Sequence, residues 1–256
     1  MIDSATYMFS AMLMMMVSGN YNVSTSSFED FSMQARSMIV DGIRYLASSF
    51  FGPIAFLKCS TALLYGSADV LQVSFSERGS GEGRSTRLGV LFSFVGVGCV
   101  LGPLLCDRFV NMDEPRTLQR LSILGMGVVS IGLVMTGFIF PFWLILVFTA
   151  LRSMGSSMVW VYSTLLLQKF VLPQMLGRVT SIDYSAALLT ETLSAFAAGY
   201  LQDDFGLSAE QVSALLGVFG LFQTVLWVVW DLCNRGAASA AAVELDNEKK
   251  VQTALV

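Results

Sequence analysis

The chain is built of apolar blocks, each long enough to cross a bilayer, separated by short polar ones. Two of these blocks, Phe142 to Gln168 and Thr180 to Leu201, flank the polar turn Pro173-Gln174-Met175-Leu176-Gly177-Arg178 and set the pattern for the rest. The first carries one charge, Arg152, and the second carries Asp183 and Glu191, while a membrane-crossing helix needs ~20 largely apolar residues. The same rule places spans at about 48–75, 88–109, 118–140, 142–168, 179–202 and 210–232. Between them lie the polar connections 76–86, 111–117, 173–178 and 203–210, with Pro141 marking a tight turn. The expected fold is therefore all-α, a polytopic bundle of six transmembrane helices over 48–232.

The segments outside the bundle read differently. Residues 1–19 hold a Met-rich apolar run, Ala5 to Val17 especially, that is short for a full span and is expected to be a truncated transmembrane helix. A signal peptide is the competing reading, against which stand Asp3 in place of a basic region and the lack of a small-residue cleavage site. Residues 20–47 form a linker. Within it Phe28, Phe31, Ala35, Met38, Ile39, Ile43 and Leu46 recur at helical spacing opposite Glu29, Asp30, Gln34, Arg36 and Asp41, which predicts an amphipathic helix at the membrane surface. The tail, 233–256, with its alanine run and Glu248-Lys249-Lys250, is expected to be disordered.

Composition sharpens the class. Of 256 residues 54% are hydrophobic and 13% charged, with a mean hydropathy of +0.66, against about 25% charged in a soluble domain. The net charge of -4 is spread along the chain, so no basic patch calls for a nucleic-acid partner. Histidine is absent, which removes Ser-His and Cys-His catalysis and the commonest zinc ligand. Cys59, Cys99, Cys106 and Cys233 show no Cys-x-x-Cys spacing and read as small packed residues rather than disulfides or metal ligands. With no nucleophile beside a base, the chain is not expected to be an enzyme, nor to hold a cofactor or metal. Placing the linker in the cytoplasm puts Arg36, Arg44, Arg108, Arg116, Arg120, Lys169, Arg178, Arg235, Lys249 and Lys250 on that side and only Arg78, Arg84 and Arg87 on the other. This distribution predicts a multi-pass protein with its carboxy terminus inside. The sequon Asn22-Val23-Ser24 then stays unmodified.

Two glycine-rich runs are set aside as ligand motifs. Gly96-Val97-Gly98-Cys99-Val100-Leu101-Gly102 lies inside an apolar span with no strand before it, and Gly98 with Gly102 suits close helix packing. Gly79-Ser80-Gly81-Glu82-Gly83-Arg84-Ser85 lacks the P-loop spacing and lysine and reads as a loop. More specific are Gly102-Pro103-Leu104-Leu105-Cys106-Asp107-Arg108 after the second span and Pro173-Gln174-Met175-Leu176-Gly177-Arg178-Val179 after the fourth. Together with Asp41-Gly42-Ile43-Arg44-Tyr45-Leu46 and Leu88-Gly89-Val90-Leu91, they resemble the carboxy-terminal half of a major facilitator superfamily transporter, in the branch of the enterobactin exporter and macrolide efflux pumps. The resemblance covers nearly the whole chain.

The resemblance implies a six-helix half preceded by the end of helix six. It also implies secondary transport of a small organic solute, expected as export by proton antiport, with the amino-terminal half or a second copy as partner alongside the lipid bilayer. It makes Asp107, Arg108, Gly177 and Arg178 candidates for a conformational latch; the alternative is that the arginines anchor the protein at the headgroups. After Arg108 the chain continues Phe109-Val110-Asn111-Met112-Asp113-Glu114, where the family has glycine and a basic pair. Within the spans, depth counted at ~1.5 Å per residue brings Lys58 and Glu191 to one level with Arg152 somewhat deeper, Asp69 near the outer face and Asp183 near the inner. By resemblance Lys58 and Arg152 line the central cavity. Lys58, Arg152 and Glu191 are thus the candidates for binding a polar substrate or coupling a proton, the alternative being an ion pair that fixes helix register. A non-transporting scaffold or partner-binding bundle on the same fold is the second functional reading.

Overall fold

A computed structural model of the chain describes residues 12–13, 28–49, 52–77, 83–108, 114–138 and 141–234. The expected truncated helix at 1–19, the sequon and the tail beyond 234 lie outside or almost outside these residues. The described residues fold into seven helices without a strand: α1 (Phe28–Ser48), α2 (Gly52–Ser76), α3 (Arg84–Asp107), α4 (Pro115–Thr136), α5 (Phe142–Phe170), α6 (Pro173–Asp203) and α7 (Ala209–Cys233). Two units are distinguished, Met1–Met38 and Ile39–Val256, and α2 to α7 all belong to the second.

Five of these helices, α2, α3, α4, α5 and α7, are long and apolar enough to cross a membrane. The protein is accordingly an all-α polytopic membrane protein. The sixth expected span corresponds to α6, the longest helix at 31 residues, which falls short of the apolarity of the other five. Its sequence explains the difference. One face carries Asp183 and Ser194, both buried, while Leu188, Leu189, Leu193 and Phe196 point outward.

The turn expected at Pro173–Arg178 is not a turn. These residues form the opening of α6, and the only break between α5 and α6 is Val171–Leu172. The reason lies in Pro173 at the first helical position, where a fixed φ suits the helix and the missing N–H costs nothing. The same ring forces the residue before it out of the helical region, and Leu172 is extended at φ -59° and ψ 133°.

Direction alternates along the chain, so α2, α4 and α6 run one way and α3, α5 and α7 the other. The contacts show it. Lys58 meets Asp183, Ser67 N–H donates to Ser194 Oγ at 3.1 Å, and Ser74 Oγ donates to Gln202 Oε1 at 2.7 Å, a nearly constant offset that makes α2 and α6 parallel neighbours along their length. α4 and α7 are antiparallel, joined by Thr136 and Ser213 hydroxyls 2.8 Å apart and, at the far end, by Gln119 Nε2 donating to Asp231 Oδ1 at 2.9 Å. The core lies along α2, α4 and α5, whose apolar windows are 61%, 56% and 50% buried, against 22% for α3 and 28% for α7. The last two helices therefore form the outside of the bundle.

Small residues set how closely the helices approach. Gly98 and Gly102 of α3 are both buried, and a Cβ on either would meet the α5 backbone at the Ala150 or Met154 carbonyl, as expected of a small-xxx-small face. Gly66 of α2 is the tightest crossing on the other side, where a Cβ would run into the Glu191 carbonyl of α6. Tyr162, buried in the α5 core, donates its hydroxyl hydrogen to the Pro103 carbonyl of α3 at 3.1 Å. All four cysteines are free.

α7 begins with a reciprocal cap. Ser208 Oγ accepts from Gln211 N–H at 3.4 Å, and Gln211 Oε1 accepts from Ser208 N–H at 2.9 Å. Replacing Ser208 with alanine removes one of these partners and is expected to cost about 1 kcal/mol. Unfolding free energy measured by titrating micellar protein with SDS checks this; an unchanged midpoint would show that water caps the helix equally well.

Candidate functional site

The charged groups inside the spans gather at two levels beside α2, α5 and α6. In the lower tier, Lys58 of α2 and Asp183 of α6 are 2.5 Å apart, with side chains 0% and 1% exposed. Lys58 Nζ also donates to Thr164 Oγ1 of α5 at 2.9 Å. Above the ammonium stand two rings, Trp160 with its centroid at 5.1 Å and Tyr184 at 4.8 Å. A lysine in an apolar bundle is tolerable only when its charge is matched and its N–H groups are occupied. Here a carboxylate, a hydroxyl and two ring faces do both.

The upper tier is organised by Arg152 of α5, whose side chain is buried. Its guanidinium carbon lies 5.5 Å from the Tyr65 ring of α2, and Asp69 of α2 is the carboxylate acting on it electrostatically. Asp69 Oδ1 in turn accepts from Gln72 Nε2 at 2.9 Å. Room for this side chain comes from Gly132 of α4, where a Cβ would stand 2.8 Å from that of Arg152. Neither Nη1 nor Nη2 of Arg152 has a hydrogen-bond acceptor among the described residues. Along α2, Lys58 and Asp69 are separated by ~16 Å, so the tiers are distinct.

This corrects the expected grouping of Lys58, Arg152 and Glu191. The partner of Lys58 is Asp183, the residue that depth counting had put near the inner face, and the helix starts explain the change. α2 begins at Gly52 rather than 48 and α6 at Pro173 rather than 179, which makes Lys58 shallower by ~6 Å and Asp183 deeper by ~9 Å. The same shift carries Glu191 up to the level of Gly66, where it is half-buried and interacts electrostatically with Asp69 and Tyr65. Glu191 has no ion-pair partner among the described residues. Asp69, Tyr65, Thr164, Trp160 and Tyr184 complete the site. The sequence sign of Asp69 was a carboxylate in an apolar span, that of Trp160 an aromatic that either lines an apolar path or packs, and nothing marked Tyr65, Thr164 or Tyr184.

The latch candidates separate as well. Asp107 closes α3 and Arg108 caps it, both exposed and without an ion-pair partner among the described residues. Gly177 is exposed in the first turns of α6, with nothing near it that a Cβ would meet. Arg178 is the one that reaches another helix: its Nη1 donates to Asp41 Oδ2 of α1 at 3.4 Å. Gly42 lies against the same turn, where a Cβ would be 3.3 Å from that of Arg178. Two of the sequence motifs, Asp41-Gly42 and Gly177-Arg178, thereby meet. Both side chains are partly exposed, 32% for Arg178 and 45% for Asp41, so the pair is weak enough to exchange with water.

Compared with known proteins, the chain matches no family model, no curated protein and no solved structure.

Proposed function

We propose that the protein is a secondary transporter of a small organic solute, working by proton antiport and alternating access, with export as the direction. The observation that carries this reading is the sealed Lys58–Asp183 pair between α2 and α6, with its rings and hydroxyl. Charges at such depth are costly, and a bundle that needed only cohesion would be served as well by apolar side chains of equal volume. Arg152, with two guanidinium nitrogens lacking acceptors among the described residues, supports the same reading.

In this reading α6 is the sixth span, held at the depth of α2 by their parallel register, and the bundle is one half of a major facilitator-type transporter. It works against an amino-terminal half or a second copy. The excess of Lys and Arg on the side of α1 supports a cytoplasmic position for that helix and for the carboxy terminus. The Asp41–Arg178 pair belongs to the cytoplasmic face, where rocking of the bundle opens and closes it.

The test is made in lipid vesicles reconstituted with the full chain and loaded with a pH-reporting dye. Addition of anionic, cationic and neutral organic solutes to vesicles holding a pH gradient is expected to dissipate the gradient for one class. The response should be absent with Asp183→Asn. If no class moves protons through protein whose near-ultraviolet circular dichroism shows fixed packing, the transport reading fails. The ion pair is then a register device in a scaffold.

A further inference from the structure

The lower tier has the composition of a receptor for a soluble cation. The rings of Trp160 and Tyr184, with centroids 5.6 Å apart and planes at 49°, form two walls of a corner. Asp183 supplies the opposing charge. Ring faces converging with a carboxylate on one point recognise organic ammonium ions through their quadrupoles and the ion pair. In this protein a tethered ammonium, that of Lys58, fills the corner. Two further features go beyond what a lysine needs: Asp183 Oδ1 is buried without a hydrogen-bond partner among the described residues, and Tyr184 is 39% exposed while Lys58 is 0% exposed. One acceptor remains open, and one wall faces outward.

We propose that the corner of Trp160, Tyr184 and Asp183 is a binding site for an organic ammonium ion, with Lys58 as its built-in competitor. The proposal rests on the transport reading of the same residues and names the substrate class. A ligand cation enters past Tyr184 and pairs with Asp183. Two cations cannot share one carboxylate at low dielectric, so Lys58 gives up one N–H proton to water and leaves the corner as a neutral amine. The Thr164 hydroxyl, 2.9 Å from Nζ, then donates to the amine lone pair it had faced as an acceptor. Charge balances: one ligand cation enters, one proton leaves, and the site stays neutral throughout.

The titratable groups around Lys58 allow this exchange. α6 presents Asp183 and Tyr184, α2 itself presents Cys59, and α5 presents the uncharged Thr164 and Trp160. From α3, α4 and α7 no ion pair or hydrogen bond reaches Lys58 among the described residues. The proton released is therefore that of Lys58.

The experiment uses the full chain in weakly buffered detergent solution with tetramethylammonium and tetraphenylphosphonium as a small and a large probe. Binding is read from tryptophan fluorescence and proton release from a pH indicator. One proton released per cation bound is expected, with apparent affinity rising about tenfold per pH unit while Lys58 is charged. Tyr184→Leu, at an exposed position that leaves the ion pair intact, should weaken binding at least tenfold. At a pH high enough to ionise the unpaired Asp183, Lys58→Met should bind the probes with no proton release. Binding without proton release, or unaltered by Tyr184→Leu, overturns the proposal, as does failure of both probes to bind. If both probes fail while vesicles still exchange protons for another solute class, only the cation site is lost. If a probe binds as expected but no solute moves protons in vesicles, the site stands and the transport reading falls.

Discussion

Asp183→Ala is expected to destabilise the bundle by about 3–5 kcal/mol, the cost of stranding a buried charge without its partner. Lys58 is fully buried, and its remaining contacts, one hydroxyl and two ring faces, do not replace a carboxylate. The double variant Lys58→Met, Asp183→Leu removes both charges and should recover stability to within about 1 kcal/mol of the parent, or exceed it, because apolar side chains of similar size need no desolvation. Unfolding of micellar protein by SDS, followed through tryptophan fluorescence, gives both numbers. A loss below about 1 kcal/mol for the single change would show that Lys58 escapes to water, and the sealed site would have to be abandoned.

The second large effect is steric. Gly66→Leu forces a side chain into the Glu191 carbonyl of α6, and a packed helix crossing yields only by separating. A penalty of about 3 kcal/mol is expected, at the upper end of overpacking costs. Gly89→Leu on α3 is the control, since nothing lies within 4 Å of its Cβ position. There the change should be within about 0.5 kcal/mol, or slightly favourable from helix propensity. Equal effects at the two sites in the same SDS titration would mean that α2 and α6 do not cross at Gly66.

The helices were legible in the sequence because a bilayer-length apolar run admits few alternatives. The small residues Gly98 and Gly102 were legible for equally local reasons. The partner of Lys58 was not. Deciding between Asp183 and Glu191 requires knowing where α2 and α6 start, how each is rotated, and which serine or glycine sets their crossing. Pro173 is instructive: read as a turn residue, it displaced the start of α6 by nearly two turns, and every depth counted from there inherited the error. Tyr184 carried no signal either, for an aromatic residue in an apolar helix gains meaning only from the charge beneath it.

The separation of Lys58 and Asp183 along the chain, 125 residues, has a consequence during synthesis. At ~5–20 residues per second, the ribosome needs roughly 6–25 s after making Lys58 before Asp183 exists. Through that interval α2, the least hydrophobic of the five apolar helices with a window hydropathy of 1.3, holds an unmatched lysine whose insertion costs ~2.5–3.5 kcal/mol. The nascent α2 is consequently a segment that waits, sheltered at the insertion machinery or at the bilayer edge, until α6 arrives to admit it.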